Sequence, residues 1–268
     1  MPRRAPADVW ASGAAYEPYV GRWSRLVARE FLGWLAVAPG AEWLDVGCGT
    51  GALAETILAQ AAPARVRAVD ASPGYAAYAR SRIADPRATF GAADARALPW
   101  AAAQADAVVS GLVLNFVPQP EAAVAEMVRV ACRGGVVAAY VWDYAEGMQL
   151  MRHFWDAAAA LDPSAAALDE GRRFPLCQPN ALDALWRGAG LREVMGRAID
   201  VPTRFRDFDD FWSPFLGGQG PAPSYAAALN PERRARLRDR LRVALPIASD
   251  GSIALTARAW AVRGVRSL

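Results

Sequence analysis

The chain has 268 residues, 54% hydrophobic and 21% charged, with a formal net charge of +3, which fits one large domain or two small ones and excludes disordered and collagen-like classes. All 30 basic residues are arginine, which excludes chemistry that needs an ε-amine, including Schiff bases and the lysine of a P-loop. The single histidine, His153, rules out a multi-histidine metal site, and the scattered cysteines Cys48, Cys132 and Cys177 form no C-x-x-C pair, so no metal is expected and a reducing compartment is.

In chain order, Tyr16, Tyr19, Trp23, Leu26, Val27, Phe31, Trp34 and Leu35 recur at spacings of three and four, which predicts an amphipathic helix ended by Pro39-Gly40. The apolar run 42–46 predicts a strand, the glycine cluster after it a tight turn, and residues 52–62 a helix. The alternation continues with a strand at 66–69, a helix opened by Pro73 and reaching 84, and a brief strand at 88–90. A strand at 107–110, a helix at 121–131 and a strand at 136–142 complete the run. Strands separated by such helices form parallel βαβ units, so the N-terminal half reads as an open, doubly wound α/β sheet.

Beyond it, 148–161 and 180–188 read as helices, and 192–201 and 253–262 as strands. Residues 202–249 are too long and too patterned for a loop and are expected to form a helical insertion. There Phe205, Phe208, Phe211, Trp212 and Phe215 recur at three and four, either as core or as a substrate cap. Residues 232–242 read as a solvated arginine-rich amphipathic helix, with a nucleic-acid surface as the alternative. No linker breaks the chain, so one domain over residues 1–268 is expected. The longest apolar run, 134–142, is far below the roughly 20 residues that span a bilayer. Neither a membrane span nor a secretory leader is expected, and the cytoplasm is the expected address.

The sharpest signal is Leu44-Asp45-Val46-Gly47-Cys48-Gly49-Thr50-Gly51, where a strand runs into three glycines at alternate positions and then a helix. Glycine allows both the positive φ of such a turn and close backbone approach to a ligand, so a cofactor is expected here. Gly47-x-Gly49-x-x-Ala52 also satisfies the relaxed dinucleotide fingerprint, with Asp70 about 20 residues on, which keeps an NAD-binding oxidoreductase open.

Alternate glycines with an acid two residues before the first resemble motif I of class I S-adenosylmethionine-dependent methyltransferases. Val69-Asp70 is similar to that family's acid at the end of strand two, which takes the ribose hydroxyls, and Ala93-Asp94-Ala95 to its acid near the adenine. Residues 106–116, ending Gly111-Leu112-Val113-Leu114-Asn115-Phe116, resemble its fourth strand and following loop. The resemblance covers residues 16–145 and is nearest to the branch with the ubiquinone and menaquinone C-methyltransferases. It implies a seven-stranded Rossmann-like sheet in the order 3-2-1-4-5-7-6, S-adenosylmethionine as cofactor, and Asp45, Gly47, Cys48, Gly49, Gly51, Asp70, Ala71, Ala93, Asp94, Ala95, Gly111 and Leu112 along it. It also places a lid before strand one, so Tyr16 and Arg22 are candidates to cover the cofactor within a lid over residues 1–36.

The expected reaction is methyl transfer by direct displacement to an oxygen, nitrogen or carbon of a small, fairly apolar acceptor. Tyr19, Asn115, Phe116, Trp142, Phe211 and Trp212 are the candidate acceptor contacts. Aromatic faces attract the sulfonium cation. His153 and Asp143, just beyond the fifth strand, are the candidate bases. The expected partner is a small molecule, with no nucleic acid.

Overall fold

A computed structural model describes residues 21–217 and 220–267, and in it the N-terminal alternation of apolar runs and helices is realised almost as read. Helix α1 (Arg22–Leu35) precedes β1 (Glu42–Val46), α2 (Ala52–Gln60), β2 (Arg65–Asp70), α3 (Pro73–Arg82), β3 (Ala88–Ala92), β4 (Ala105–Gly111), α4 (Pro120–Val130) and β5 (Ala131–Trp142). There follow α5 (Gln149–Leu161), α6 (Glu170–Arg173), α7 (Pro179–Gly188), β6 (Arg192–Phe205), α8 (Phe208–Trp212), α9 (Pro221–Ala228), α10 (Pro231–Ala244) and β7 (Ile253–Val265). The seven strands form one sheet in the order β3-β2-β1-β4-β5-β7-β6. β1 to β5 are parallel, and β7 runs antiparallel to both β5 and β6. This is the expected order.

β1 sits in the middle, where helices cover both faces, so its last four residues are all buried and read as a continuous apolar run. Two boundaries differ from the sequence reading by four residues or more. β5 begins at Ala131, before the glycine pair: its pairing with β4 is irregular between Ala105 and Ala107, and at Gly135 a Cβ would lie 2.8 Å from the Cys132 carbonyl, so only glycine fits there. β6 runs on to Phe205, pairing through Pro202, because it is an edge strand where a missing N–H is tolerated. The insertion therefore starts at Arg206, not at 202.

The aromatic stripe of the insertion is core. Phe205, Phe208, Phe211, Trp212 and Phe215 are buried, Phe211 lies 5.2 Å from Phe205, and Phe215 stacks on Phe154 of α5 at 4.5 Å. In α10, Leu237 and Leu241 are buried, while Arg234 donates to the carbonyls of Ala226, Ala227 and Leu229, and Arg238 pairs with Asp209 at 3.0 Å. The buried apolar residues form one connected cluster across the sheet, α1, α5 and the insertion. Among the described residues no helix is long and apolar enough to cross a membrane.

Candidate active site

The C-terminal ends of the parallel strands open onto a cavity of about 370 Å³, the place where doubly wound sheets bind ligands. Its floor is the glycine turn. Gly47 (φ 82°), Gly49 (φ 51°) and Gly51 (φ 91°) all take left-handed conformations, but for different reasons. A Cβ on Gly47 would lie 2.5 Å from Val113 Cγ1, and one on Gly51 2.6 Å from Ile83 Cδ1, whereas one on Gly49 would meet nothing within 4 Å. Gly47 and Gly51 let the turn pack; Gly49 keeps its open side clear. Gly51 does not line the cavity, so of the three expected glycines only Gly47 and Gly49 border it.

The turn is tied to β2. Gly47 and Cys48 donate to the Val69 carbonyl at 2.7 and 2.8 Å, and Asp70 accepts from Gly49 N at 2.9 Å and from Ser72 N at 2.8 Å. Burial raises the Asp70 pKa, and these two N–H groups pull it back. Asp94, just past β3, where the Ala93 N–H donates to the Asp70 carbonyl at 3.0 Å, is gripped by Arg96 through Nε at 3.0 Å and Nη2 at 2.6 Å, which holds its carboxyl down at about 2. Asp70, Ala71, Ala93, Asp94, Ala95, Cys48, Gly111 and Leu112 all line the cavity, as the sequence reading placed them. Leu112 does so with φ 62°, a conformation costly for a branched side chain, fixed by its N–H donating to the Tyr140 carbonyl at 2.8 Å.

Asp45 is a correction. It is fully buried beneath the turn and does not reach the cavity; both carboxylate oxygens lack a hydrogen-bond partner, and burial, with the Asp70 charge adding, pushes its pKa up to about 7. Its Cα pairs with Ala68 of β2, two residues before Asp70.

The same cavity is also lined by aromatic and apolar side chains: Phe116, Tyr140, Trp142 and Tyr144, with Val113, Val117 and Pro118. Phe116 is braced edge-on by Phe174 at 5.0 Å, and Tyr144 lies 6.0 Å from the same ring. Tyr140 and Tyr144 were missed by the sequence reading, although period-two alternation along β5 sends 140 to the same face as Trp142. Gly111 makes room for Tyr140, since a Cβ there would lie 2.6 Å from the tyrosine hydroxyl oxygen. Ser24, the cavity residue from α1, left no signal in the sequence.

Several expected contacts are elsewhere. Arg22 pairs with Asp210 at 3.1 Å, its guanidinium between the Trp23 and Phe205 rings, so it braces α1 against the insertion. Asn115, on the short 3₁₀ turn that swings Phe116 inward, buries its side-chain amide nitrogen outside the cavity. Phe211 and Trp212 belong to the core. Asp143 folds back into its own loop, accepting from Glu146 N at 3.1 Å, and His153 is half-buried on α5; neither lines the cavity. Tyr16 and Tyr19 lie outside the described residues.

Comparison with known proteins agrees with this geometry. Residues 44–139 match the family model described as a methyltransferase domain. They form a methyltransferase domain. The chain is 32% identical to the malonyl-acyl-carrier-protein O-methyltransferase of Serratia marcescens over 135 residues, 50% of this chain and 51% of the relative. It is 39% identical to the demethylmenaquinone methyltransferase of Renibacterium salmoninarum over 114 residues, 42% of this chain and 45% of the relative. The chain thus spans about half the length, or less, of the curated relatives it matches. The fold is similar to that of Haemonchus contortus phosphoethanolamine N-methyltransferase 2 in complex with S-adenosyl-L-methionine, at a TM-score of 0.59 and 16% identity over 95% of this chain and 56% of that one.

Proposed function

We propose that the chain binds S-adenosylmethionine on the glycine turn of its methyltransferase domain and directs its methyl group, by direct displacement, to a small, neutral, largely apolar acceptor held against the aromatic wall. The observation that carries this reading is that one cavity is lined both by the glycine turn with Asp70 and Asp94 and by the uncharged aromatic residues Phe116, Tyr140, Trp142 and Tyr144. The cofactor fits the cradle side. Gly49 leaves open space for it, and Asp70, with lone pairs beyond the two already used, suits a pair of ribose hydroxyls. A dinucleotide fits less well: the one cation lining the cavity among the described residues, Arg96, is tied to Asp94 rather than free for a pyrophosphate. The antiparallel β7 also departs from the order of dinucleotide-binding sheets.

S-adenosylmethionine supplies an electrophilic methyl on a sulfonium. The residues of this chain do the rest by position: Asp70 and the turn amides orient, Asp94 accepts at the adenine edge, and Phe116, Tyr140, Trp142 and Tyr144 offer ring faces to a cation and exclude water. The only carboxylates lining the cavity among the described residues are Asp70 and Asp94, which this reading gives to the cofactor, so alignment rather than a general base carries the rate. Ser24 on the cavity supports a lid role for the segment 1–36, and the single connected core supports one domain.

The test is calorimetry with adenosylhomocysteine and, separately, NADH. One adenosylhomocysteine site per chain and no NADH heat is the expected result; NADH binding with adenosylhomocysteine inert would overturn the reading in favour of the oxidoreductase.

A further inference from the structure

A second cavity, of about 240 Å³, shares none of its lining with the methyltransferase site and lies where the end of α5 meets α9 and α10. Leu229 and Leu237 supply apolar wall, and Arg233, Arg236, Tyr225 and Asp162 bring polar atoms to it.

Of the six arginines of α10, Arg240 is exposed and lies outside the cavity, and the other five divide into two sets. Arg234 and Arg238 have partners in neighbouring carbonyls and Asp209, and Arg242 lies over the Phe208 ring at 4.4 Å. Arg233 and Arg236, three residues apart and so on one face of the helix, both border the cavity, and neither has a carboxylate within ion-pair distance among the described residues. Asp162, the one acid bordering the cavity among the described residues, accepts at Oδ1 from Ser164 N at 3.0 Å and from Ser164 Oγ at 2.6 Å. These bonds, with the nearby Arg233 charge, hold its pKa below the ordinary value, so it offsets one of the two arginine charges and leaves the other. Tyr225 is anchored by its ring against Trp155 at 5.7 Å and Phe154 at 6.2 Å. Burial and the nearby Asp162 hold its phenol pKa above the ordinary value, so the hydroxyl stays a donor. Two permanently charged forks and a hydroxyl around one recess leave a surplus of donors and of positive charge, which suits the planar or tetrahedral oxygens of an oxyanion.

We propose that this cavity is a binding site for a small oxyanion, a carboxylate or a phosphate group, gripped by Arg233 and Arg236 with Tyr225 as a third donor. It is independent of the methyltransferase reading.

The test titrates the full chain with inorganic phosphate, followed by ³¹P line broadening, and with ¹³C-labelled acetate. Saturable binding of either probe is expected. It should weaken at least tenfold in the double variant Arg233→Gln/Arg236→Gln and at least threefold in Arg236→Lys, which keeps the charge without the fork. Arg240→Gln, an exposed position on the same helix outside the cavity, should bind as the parent does. Phosphate binding tighter than acetate assigns a phosphorylated ligand, and the reverse a carboxylate. Binding that never saturates, that survives in the double variant, or that Arg240→Gln weakens as much overturns the site.

Discussion

The two sides of the main cavity are built by different means. The cradle side is made of backbone: Gly47 and Gly49, with Gly51 packed behind them, and the N–H groups around Asp70, all within residues 47–72 and fixed by a strand, a turn and two helix starts. The aromatic side is made of side chains from three separate stretches, at 113–118, 140–144 and, behind them, Phe174, held by ring packing. A backbone cradle tolerates almost no substitution but is blind to the acceptor. A side-chain wall can be retuned one residue at a time, so cofactor recognition and acceptor choice can change separately.

The hardest blow to this contrast is at Gly47. Gly47→Val would place a branched side chain at φ 82° against Val113, and we expect a loss of about 3 kcal/mol or more in stability, from strain and overpacking together; a chemical-denaturation midpoint unchanged from the parent would show that the turn is not packed as described. Gly49→Ala should instead fold, with a smaller strain cost of about 1 kcal/mol, and lose adenosylhomocysteine binding, because its Cβ meets no protein atom within 4 Å. Asp70→Ala is expected to weaken that ligand by about 1.5–3 kcal/mol, the scale of charge-assisted hydrogen bonds, read by calorimetry on a folded variant.

On the aromatic side, Phe116→Ala removes the ring that Phe174 braces. Acceptor kcat/KM should fall about tenfold, on the order of 1.4 kcal/mol, while adenosylhomocysteine affinity stays within threefold. Equal losses in both would merge the two sides into one functional unit.

Behind that wall, Glu170 is buried and accepts from the Trp155 indole, and burial pushes its pKa from 4.5 up to about 8. A carboxyl raised on folding stabilises fully below its unfolded value, and that stability is lost as pH rises through the folded one. The parent should therefore lose stability between about pH 4.5 and pH 8, and Glu170→Gln should flatten that fall, gaining about 2 kcal/mol relative to the parent at pH 8. Parallel stability profiles would mean that Glu170 is ionised in the fold. The smallest effect is expected at His153, whose pKa burial lowers and which lies off the cavity. His153→Gln should keep turnover within about twofold and leave the pH profile unmoved, since a general base is worth far more, about 10²- to 10⁴-fold.

The alternation of strands and helices and the glycine turn were legible from the residues, because each is a local event, an apolar run or a φ that only glycine takes easily; the strand order and the role of the acid at 94 came only from the family resemblance. Local pattern also marked Asp45, yet its side chain is fully buried and does not line the cavity, which depends on what packs over each face of the sheet. The aromatic stripe at 205–215 has the same three-and-four spacing whether it caps a pocket or fills a core, and only the approach of α5, which brings Phe154 onto Phe215, decides for the core. Tyr144, Ser24 and Phe174 meet at or behind one cavity from elements far apart in the chain. Periodicity reports which face of an element is apolar, and tertiary packing alone decides what that face meets.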